Sequence, residues 1–582
     1  MRSHKAIAAL VAPLLGVLSL AACTPSGPDE EADVSIDQDW SAAEPITIDV
    51  FSAPANYQGI ESGWFGKIVK DKFNMELNIL APNVAGGGDT LYNTRVAGGE
   101  LGDLVIVGKG QQIDELVEGG LVLDAAPYYE AMQNTSEYDP AVQKINEGKD
   151  SIYSFPTMVS TLKPTEPAEG VDPTFGPFLR WDYYAELGYP EIDTLEDLLP
   201  VLKDMQDAHP EADNGKPTYG LSLFKDWDGN MMVMAGQPPA VYGYEHLGFA
   251  EAKGDGSDYH GILAPESEYL RALKFYYEAN QMGIVDPEST TQNYDTMFAK
   301  YQSGQVLLSW WPWLGQQAYN TEQNMADGKG FQLVPMQDQT VLSHGANVYG
   351  GGLVYGIGSK AEDPARIAAF IDWLYSPEGI ESNSADNAGA GPEGLAWENG
   401  PDGPVLTEFG RQAILEGGEV EVPAEWGSGA YKDGGSSLNA SAVLPNDVDP
   451  RTGYSYNYKL WPSYQETSAN PLIEDWSKEM GGSKTTMEYL QSNDQLLVAP
   501  GASFTAPTDS SEIETLRNQV KATIVEHSWK MAFAKDGAEF DALLAEMQET
   551  ANGLGYEKVL EVDLANAEAQ NEAREAVANE FG

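Results

Sequence analysis

Between residues 45 and 379 short apolar runs alternate with stretches whose apolar residues recur at helical spacing, and that alternation leaves few folds open. "PITIDVFSAP" (45–54) has the period of a strand. "DLVIVG" (103–108) is a continuous apolar run, suited to a strand buried on both faces of a parallel sheet. The following "QQIDELVEGG" predicts a short helix closed by Gly119 and Gly120. In "TLEDLLPVLKDMQ", Thr194 and Asp197 have the spacing of a capping box, and Leu198, Val201, Leu202 and Met205 share one face. The strand pattern "GLVYGIGS" (352–359) precedes "EDPARIAAFIDWLYSPEG" (362–379). There Asp363 is placed to cap, Pro364 fits the first turn, and Ile367, Phe370, Ile371 and Leu374 fall at helical spacing. Strands alternating with helices predict an α/β fold with a largely parallel sheet. The C-terminal stretch is instead helical by pattern, with Leu516, Val520 and Ile524 on one face, then Phe540, Leu543, Leu544 and Met547 on another. The region 380–465, rich in Gly, Asn, Ser and Pro, is expected to carry long surface loops.

The N-terminus reads as a processing segment. Arg2, His4 and Lys5 precede the apolar run "AIAALVAPLLGVLSLAA", too short and too interrupted by Pro13 and Gly16 for a membrane span. It ends in "LAAC", the lipobox pattern, so residues 1–22 are expected to be a signal peptide and Cys23 the lipidated first residue. Cys23 is the single cysteine of the 582-residue chain. No disulfide within the chain is possible, and stability has to come from buried cores, for two or more of which the length suffices. Residues 23–44, polar and acidic after the cysteine, read as a tether. No later stretch has about 18 uninterrupted apolar residues. With 33 Lys+Arg against 90 Asp+Glu the formal net charge is −57, which argues against nucleic acid and anionic membrane surfaces as partners.

A family resemblance rests on the order of motifs. "GGELGDLVIVGKGQQIDELVEGGLVLDAAPYYE", "SIYSFPTMVS", "FLRWDYYAELGYPEIDTLEDLLPVLKDMQ", "YLRALKFYYEANQMGIVDPEST", "FAKYQSGQVLLSWW", "GGGLVYGIGSKAEDPARIAAFIDWLYSPEG" and "GYEKVLEVDLANAEA" follow the lipobox in turn. Together they resemble the extracellular solute-binding proteins of ABC importers, of the sugar-binding type (maltose-binding-protein-like and lipoprotein-type), over residues 20–580. The resemblance implies a two-lobed periplasmic-binding-protein-like α/β fold. Its lobes are joined by crossing strands at a hinge, ligand lies in the cleft between them, and the C-terminal region is helical. Lobe 1 is expected at 45–158 plus 338–400, lobe 2 at 159–337 plus 401–582. It further implies a monomer, lipid-anchored on the outside of the cell membrane, that hands an oligosaccharide to permease subunits, with no enzymatic activity and no cofactor.

A sugar presents C–H faces and a rim of hydroxyls, so its site needs flat aromatic rings beside planar hydrogen-bonding side chains. The chain carries 13 Trp and 29 Tyr. In "SWWPW" (309–313) the pair Pro312-Trp313 resembles the family's stacking segment; Trp313 and Trp311 are expected in the cleft and Trp310 in the core. "FKDWDGNMM" offers Trp227 and Asp228, either as platform and hydroxyl acceptor or as a solvated turn. Asn56 and Tyr57 follow the first strand, where such lobes face ligand. Tyr349 is a further candidate before "GGGLVYG", and Gln237 and Tyr244 are candidates by neighbourhood. Trp397 reads as a structural loop residue.

Other chemistries fit poorly. "GAGPEG" (389–394) satisfies G-x-G-x-x-G but follows a polar stretch rather than a strand. The six histidines lack paired metal spacing. "DWDGN" places its glycine one position early for a calcium loop, and "PEADNGKPTYG" (210–220) has Thr218 and Tyr219 where closing acids are needed, so no metal is expected. Two alternatives stay open: an exported glycan-degrading enzyme, and a binder of peptides or other solutes.

Overall fold

The computed structural model describes residues 35–82, 84, 89–385, 388–415 and 419–582. The expected signal peptide, Cys23 and the start of the tether lie outside the described residues. Among the described residues, no helix is long and apolar enough to cross a membrane.

In the first lobe a six-stranded sheet runs in the order Gly59–Ile60, Met75–Leu80, Ile46–Ser52, Leu104–Gly108, Leu353–Ile357, Phe155–Pro156. Ile46–Ser52 lies parallel to both of its neighbours. Leu104 to Val107 are completely buried, as the unbroken apolar run predicts. The sheet is nevertheless mixed: Leu353–Ile357 is antiparallel to Leu104–Gly108. That strand returns from the other lobe, so no crossover helix constrains its direction. The helices Gln111–Glu118 and Pro364–Leu374 form where the periodicity places them. Asp363 accepts from the Arg366 amide, Pro364 occupies the first turn, and Ile367, Phe370, Ile371 and Leu374 are buried.

The second lobe holds the antiparallel strands Leu308–Ser309, Phe178–Arg180 and Phe331–Leu333. Parallel bridges Tyr219–Val306 and Leu221–Val285 continue this sheet sideways. The "FLRWD" segment fixes its centre through Arg180, whose Nε and Nη2 lie 2.9 and 2.6 Å from the two carboxylate oxygens of Asp182. The guanidinium is held between the rings of Tyr183 and Tyr319, 4.2 and 4.1 Å from their centroids. A side chain at Gly304 would meet Tyr319 at 2.8 Å with φ at +73°, so only glycine fits beside this stack. The Thr194–Asp197 capping box forms, and Leu198–Ala208 buries the predicted face. Three helices close the chain: Ser511–Ala532, Gly537–Gly553 and Tyr556–Phe581.

Two large apolar cores divide the molecule. One draws on residues from Ile36 to Val159, Tyr355 to Ala396 and Ala413 to Tyr456; the other on Phe178 to Val341 and Leu472 to Val559. The loop-rich region is therefore not a surface excursion. Its carbonyls seat first-lobe side chains, with Ser52 Oγ donating to Leu438 O, Tyr355 Oη to Ala440 O and Trp64 Nε1 to Tyr431 O at 2.7, 2.7 and 3.0 Å. Residues 413–456, expected with the second lobe, thus bury Leu438, Ala442 and Val443 in the first core. Each large apolar side chain so buried contributes about 1.5–3 kcal/mol. Between the cores the chain crosses in extended segments: Val341–His344 pairs in parallel with Leu496–Ala499, as does Val159 with Val443, while Pro167 bridges Gly345 in antiparallel. The strands approach so closely that a Cβ at Gly345 would lie 1.8 Å from Pro164 O.

Candidate functional site

The "SWWPW" run is divided by its backbone. Leu308–Ser309 is a short strand beside Phe178–Arg180, and Pro312 opens the helix Pro312–Tyr319 with Trp311 at its cap. Trp310 points inward, 2 % exposed, its Nε1 donating to Tyr276 Oη at 2.9 Å. Trp311 is buried and Trp313 half-buried. They turn toward each other, ring centroids 5.2 Å apart.

Trp227 completes the group from a separate loop. Its ring lies 5.8 Å from Trp313 and 6.4 Å from Trp311, and it stacks on Tyr294 at 4.8 Å. Phe224 meets its edge at 4.9 Å, and Phe298 extends the stack beyond Tyr294 at 5.7 Å. Trp227 remains 46 % exposed, so the most open ring rests on fixed neighbours. A surface of this kind binds a flat apolar face at little cost in side-chain entropy, since its rings are already ordered.

Two carboxylates hold the Trp227 loop in place. Asp226 Oδ2 accepts from the Tyr294 amide at 2.8 Å. Asp228 accepts from the Val233 amide through Oδ1 and from Trp529 Nε1 through Oδ2, at 2.8 and 2.6 Å. Burial pushes the Asp228 carboxyl up, partly offset by these two bonds. The acid flanking the platform is thus tied to protein donors on both oxygens.

On the first lobe, Asn56 and Tyr57 follow Ile46–Ser52 and are exposed, Tyr57 donating its hydroxyl to Ile60 O at 2.7 Å. Lys109, just past Leu104–Gly108, places Nζ 2.8 Å from Ser503 Oγ, and burial pushes its ammonium down. Both positions lie at the carboxyl ends of adjacent parallel strands, where open α/β sheets hold ligands.

The remaining expected residues are engaged elsewhere. Tyr349 donates to Glu580 at 2.9 Å and meets the edge of Phe581 at 5.6 Å, so it docks the end of the last helix. Gln237 donates to Val233 O, and Tyr244 donates to Asp258 in a small hairpin sheet. Trp397 is buried against Trp461, its Nε1 on Gly391 O. In the 210–220 loop Lys329 Nζ lies 2.8 Å from Asp213. Among the described residues no group of three or more His, Cys, Asp or Glu is arranged to hold a metal. Tyr294, Phe298 and Lys109 were not among the expected site residues. The i, i+4 spacing of Tyr294 and Phe298 after the cap Asn293 was the available signal.

No protein-family model matches the chain. Among curated proteins, 209 residues are 21% identical to Lipoprotein LipO of Bacillus subtilis, covering 34% of this chain and 36% of that protein. The match therefore spans about a third of that relative. Solved structures of similar fold cover far more. An HMO-binding, ABC-transporter-associated solute-binding protein from Bifidobacterium longum infantis superposes with a TM-score of 0.56 at 14% identity, over 91% of this chain and 100% of that one. An extracellular solute-binding protein from Bifidobacterium longum subsp. infantis gives 0.57 at 15%, over 90% and 98%. The S. pneumoniae ABC-transporter substrate-binding protein FusA, solved with kestose, gives 0.53 at 14%, over 90% and 99%. The fold of this chain is that of the two-lobed solute-binding proteins.

Proposed function

We propose that this chain is the capturing component of an ABC importer for carbohydrate, taking an oligosaccharide between its lobes and delivering it to a membrane permease. The ring surface of Trp227, Trp311, Trp313 and Tyr294 carries the reading. Sugar C–H faces stack on such rings, and the sites at Asn56, Tyr57 and Lys109 supply hydroxyl partners from the facing lobe. The fold it shares with proteins described as alginate-binding and as solved with kestose supports the same class of ligand. Closure about the crossing strands brings the two faces together and presents a closed form to the permease. In this reading Cys23 carries the lipid that keeps the monomer at the outer face of the membrane, on the tether 24–44. In the same reading 413–456 belongs with lobe 1, which is supported by the residues it contributes to that core. In this reading the protein captures rather than cleaves, which is supported by Asp228, beside the platform, spending both carboxylate oxygens on protein donors.

A thermal-shift and calorimetric screen over oligosaccharides and peptides tests the ligand class, since a ligand that binds only the folded state stabilises it. Stabilisation by a sugar, with Trp313→Ala weakening that sugar about 10- to 100-fold, is expected. Stabilisation by peptides alone, an unchanged affinity in Trp313→Ala, or release of shorter sugars on incubation would each refute the proposal.

A further inference from the structure

A second surface adjoins the ring platform. A cavity of about 670 Å³ opens between the helices Ser511–Ala532 and Gly537–Gly553 and the loops at Lys225 and Thr290. Its size falls within the usual range of ligand sites, roughly 300–1,000 Å³. Its apolar wall is built on Phe533, a half-exposed ring lying parallel to Trp529 at 6.3 Å, with Leu543 beside it.

This cavity and the platform share one ridge. The loops 225–228 and 290–294 are clamped side by side by the bond from the Tyr294 amide to Asp226. Along that ridge Trp227 and Tyr294 contribute to the platform while Lys225 and Thr290 line the cavity. Asp228 joins the two a second time through Trp529 Nε1. Lys225 Nζ sits 4.8 Å over the Trp529 ring. Among the described residues no carboxylate lies within ion-pair distance of it, in a chain with 90 acids to 33 bases. Its donors join the cavity lining alongside Glu526 and Glu539.

We propose that this cavity is an extension subsite, taking the units of an oligosaccharide that run past the platform over the 225–228 ridge. The inference rests on the carbohydrate-capture reading and sharpens it: the ligands favoured are longer than the cleft alone accommodates. Phe533 offers the stacking face, and Lys225, Thr290 and Glu539 at the rim offer hydroxyl partners. Continuity with the platform singles out the overhanging end of the same ligand rather than a separate protein partner, for which so small a hollow gives little area.

The test measures dissociation constants of the full chain for fructo-oligosaccharides, alginate oligomers and milk-type galactosides, each as a ladder from three to eight units. In at least one ladder the wild type is expected to gain about tenfold in affinity with length. Phe533→Ala and, separately, Lys225→Ala are expected to abolish most of that gain while leaving the trisaccharide affinity unchanged. A length gain retained in both variants overturns the subsite, as does tight trisaccharide binding with no gain. An equal loss for short and long ligands also overturns it, since Phe533 then acts on the platform through packing. If no ladder binds while a peptide does, the capture reading itself falls, and the subsite with it.

Discussion

Asp228→Asn separates two roles for the acid beside Trp227. The carboxylate accepts from two protein donors, at 2.8 and 2.6 Å. Asparagine keeps the shape but has one carbonyl, so its amide group faces either the Val233 N–H or the Trp529 Nε1–H, donor against donor. Losing a charge-assisted bond costs about 1.5–3 kcal/mol, and an orphaned donor costs a similar amount. Two effects reduce this. The site is only half-buried, so water relieves the orphaned donor, and burial already disfavours the charge, so removing it returns part of the cost. A net loss of about 1–2 kcal/mol follows, all of it local to the loop. The readout is exchange of the Val233 amide, which is expected to speed up by about 5- to 30-fold if its bond to Asp228 is what protects it. Trp529→Phe removes the other partner, and the double variant is expected to show coupling of about 1 kcal/mol. If Val233 exchange changes less than about twofold while sugar affinity falls about tenfold or more, Asp228 holds the ligand directly and the anchoring argument is wrong.

Two further perturbations probe the scaffold. Arg180→Lys keeps the charge but loses the fork on Asp182 and the stacking between Tyr183 and Tyr319; a destabilisation of about 2–4 kcal/mol in urea unfolding is expected, and a loss under about 0.5 kcal/mol would contradict it. In the hairpin sheet, fully buried Glu251 accepts from His246 and His260 and from the amides of Glu268 and Tyr269. Burial opposes its charge, but the two imidazoles hold the carboxyl down to about 2, while the bond to Glu251 holds His260 up against burial. The Glu251 contribution is then present above the usual carboxylate range and lost as pH falls toward 2; that of His260 is complete below the usual imidazole range and lost as pH rises through its elevated value. Stability of this hairpin, followed by amide exchange of Tyr269 against pH, is expected to peak between those limits and to lose its alkaline limb in His260→Gln.

The fold was legible wherever a residue pattern had a local cause. The capping box at Thr194, the Pro364 helix and the buried run at Leu104 depend on neighbours within a few positions, and each appears where spacing puts it. The core place of Trp310 was legible for the same reason, because Pro312 fixes where the strand gives way to a helix, whereas the burial of Trp311 at 5 % exposure was not. What sequence could not carry was long-range partnership. Nothing near Leu438 or Val443 announces that a Gly- and Asn-rich stretch closes the first core, since its hydrogen bonds go to side chains hundreds of residues away. The partner of Tyr349 was hidden for the same reason: Glu580 lies 231 positions along the chain. Tyr294 joined the platform unannounced because its position depends on the Asp226 carboxylate in another loop.

The closure of the first core by residues 413–456 has a consequence for how the molecule is made. Ser52 and Leu438, bonded to each other, are separated by 386 positions. A chain that emerges from its N-terminus completes the strands of the first sheet only at Ile357, and covers that sheet only after Tyr456. By then the second core still lacks Leu472 to Val559. Neither lobe can finish before the other is largely synthesised, and loops this long make the final contacts slow to form. Throughout that interval apolar sheet faces stand open, so assembly of this molecule favours conditions that keep unfinished chains apart.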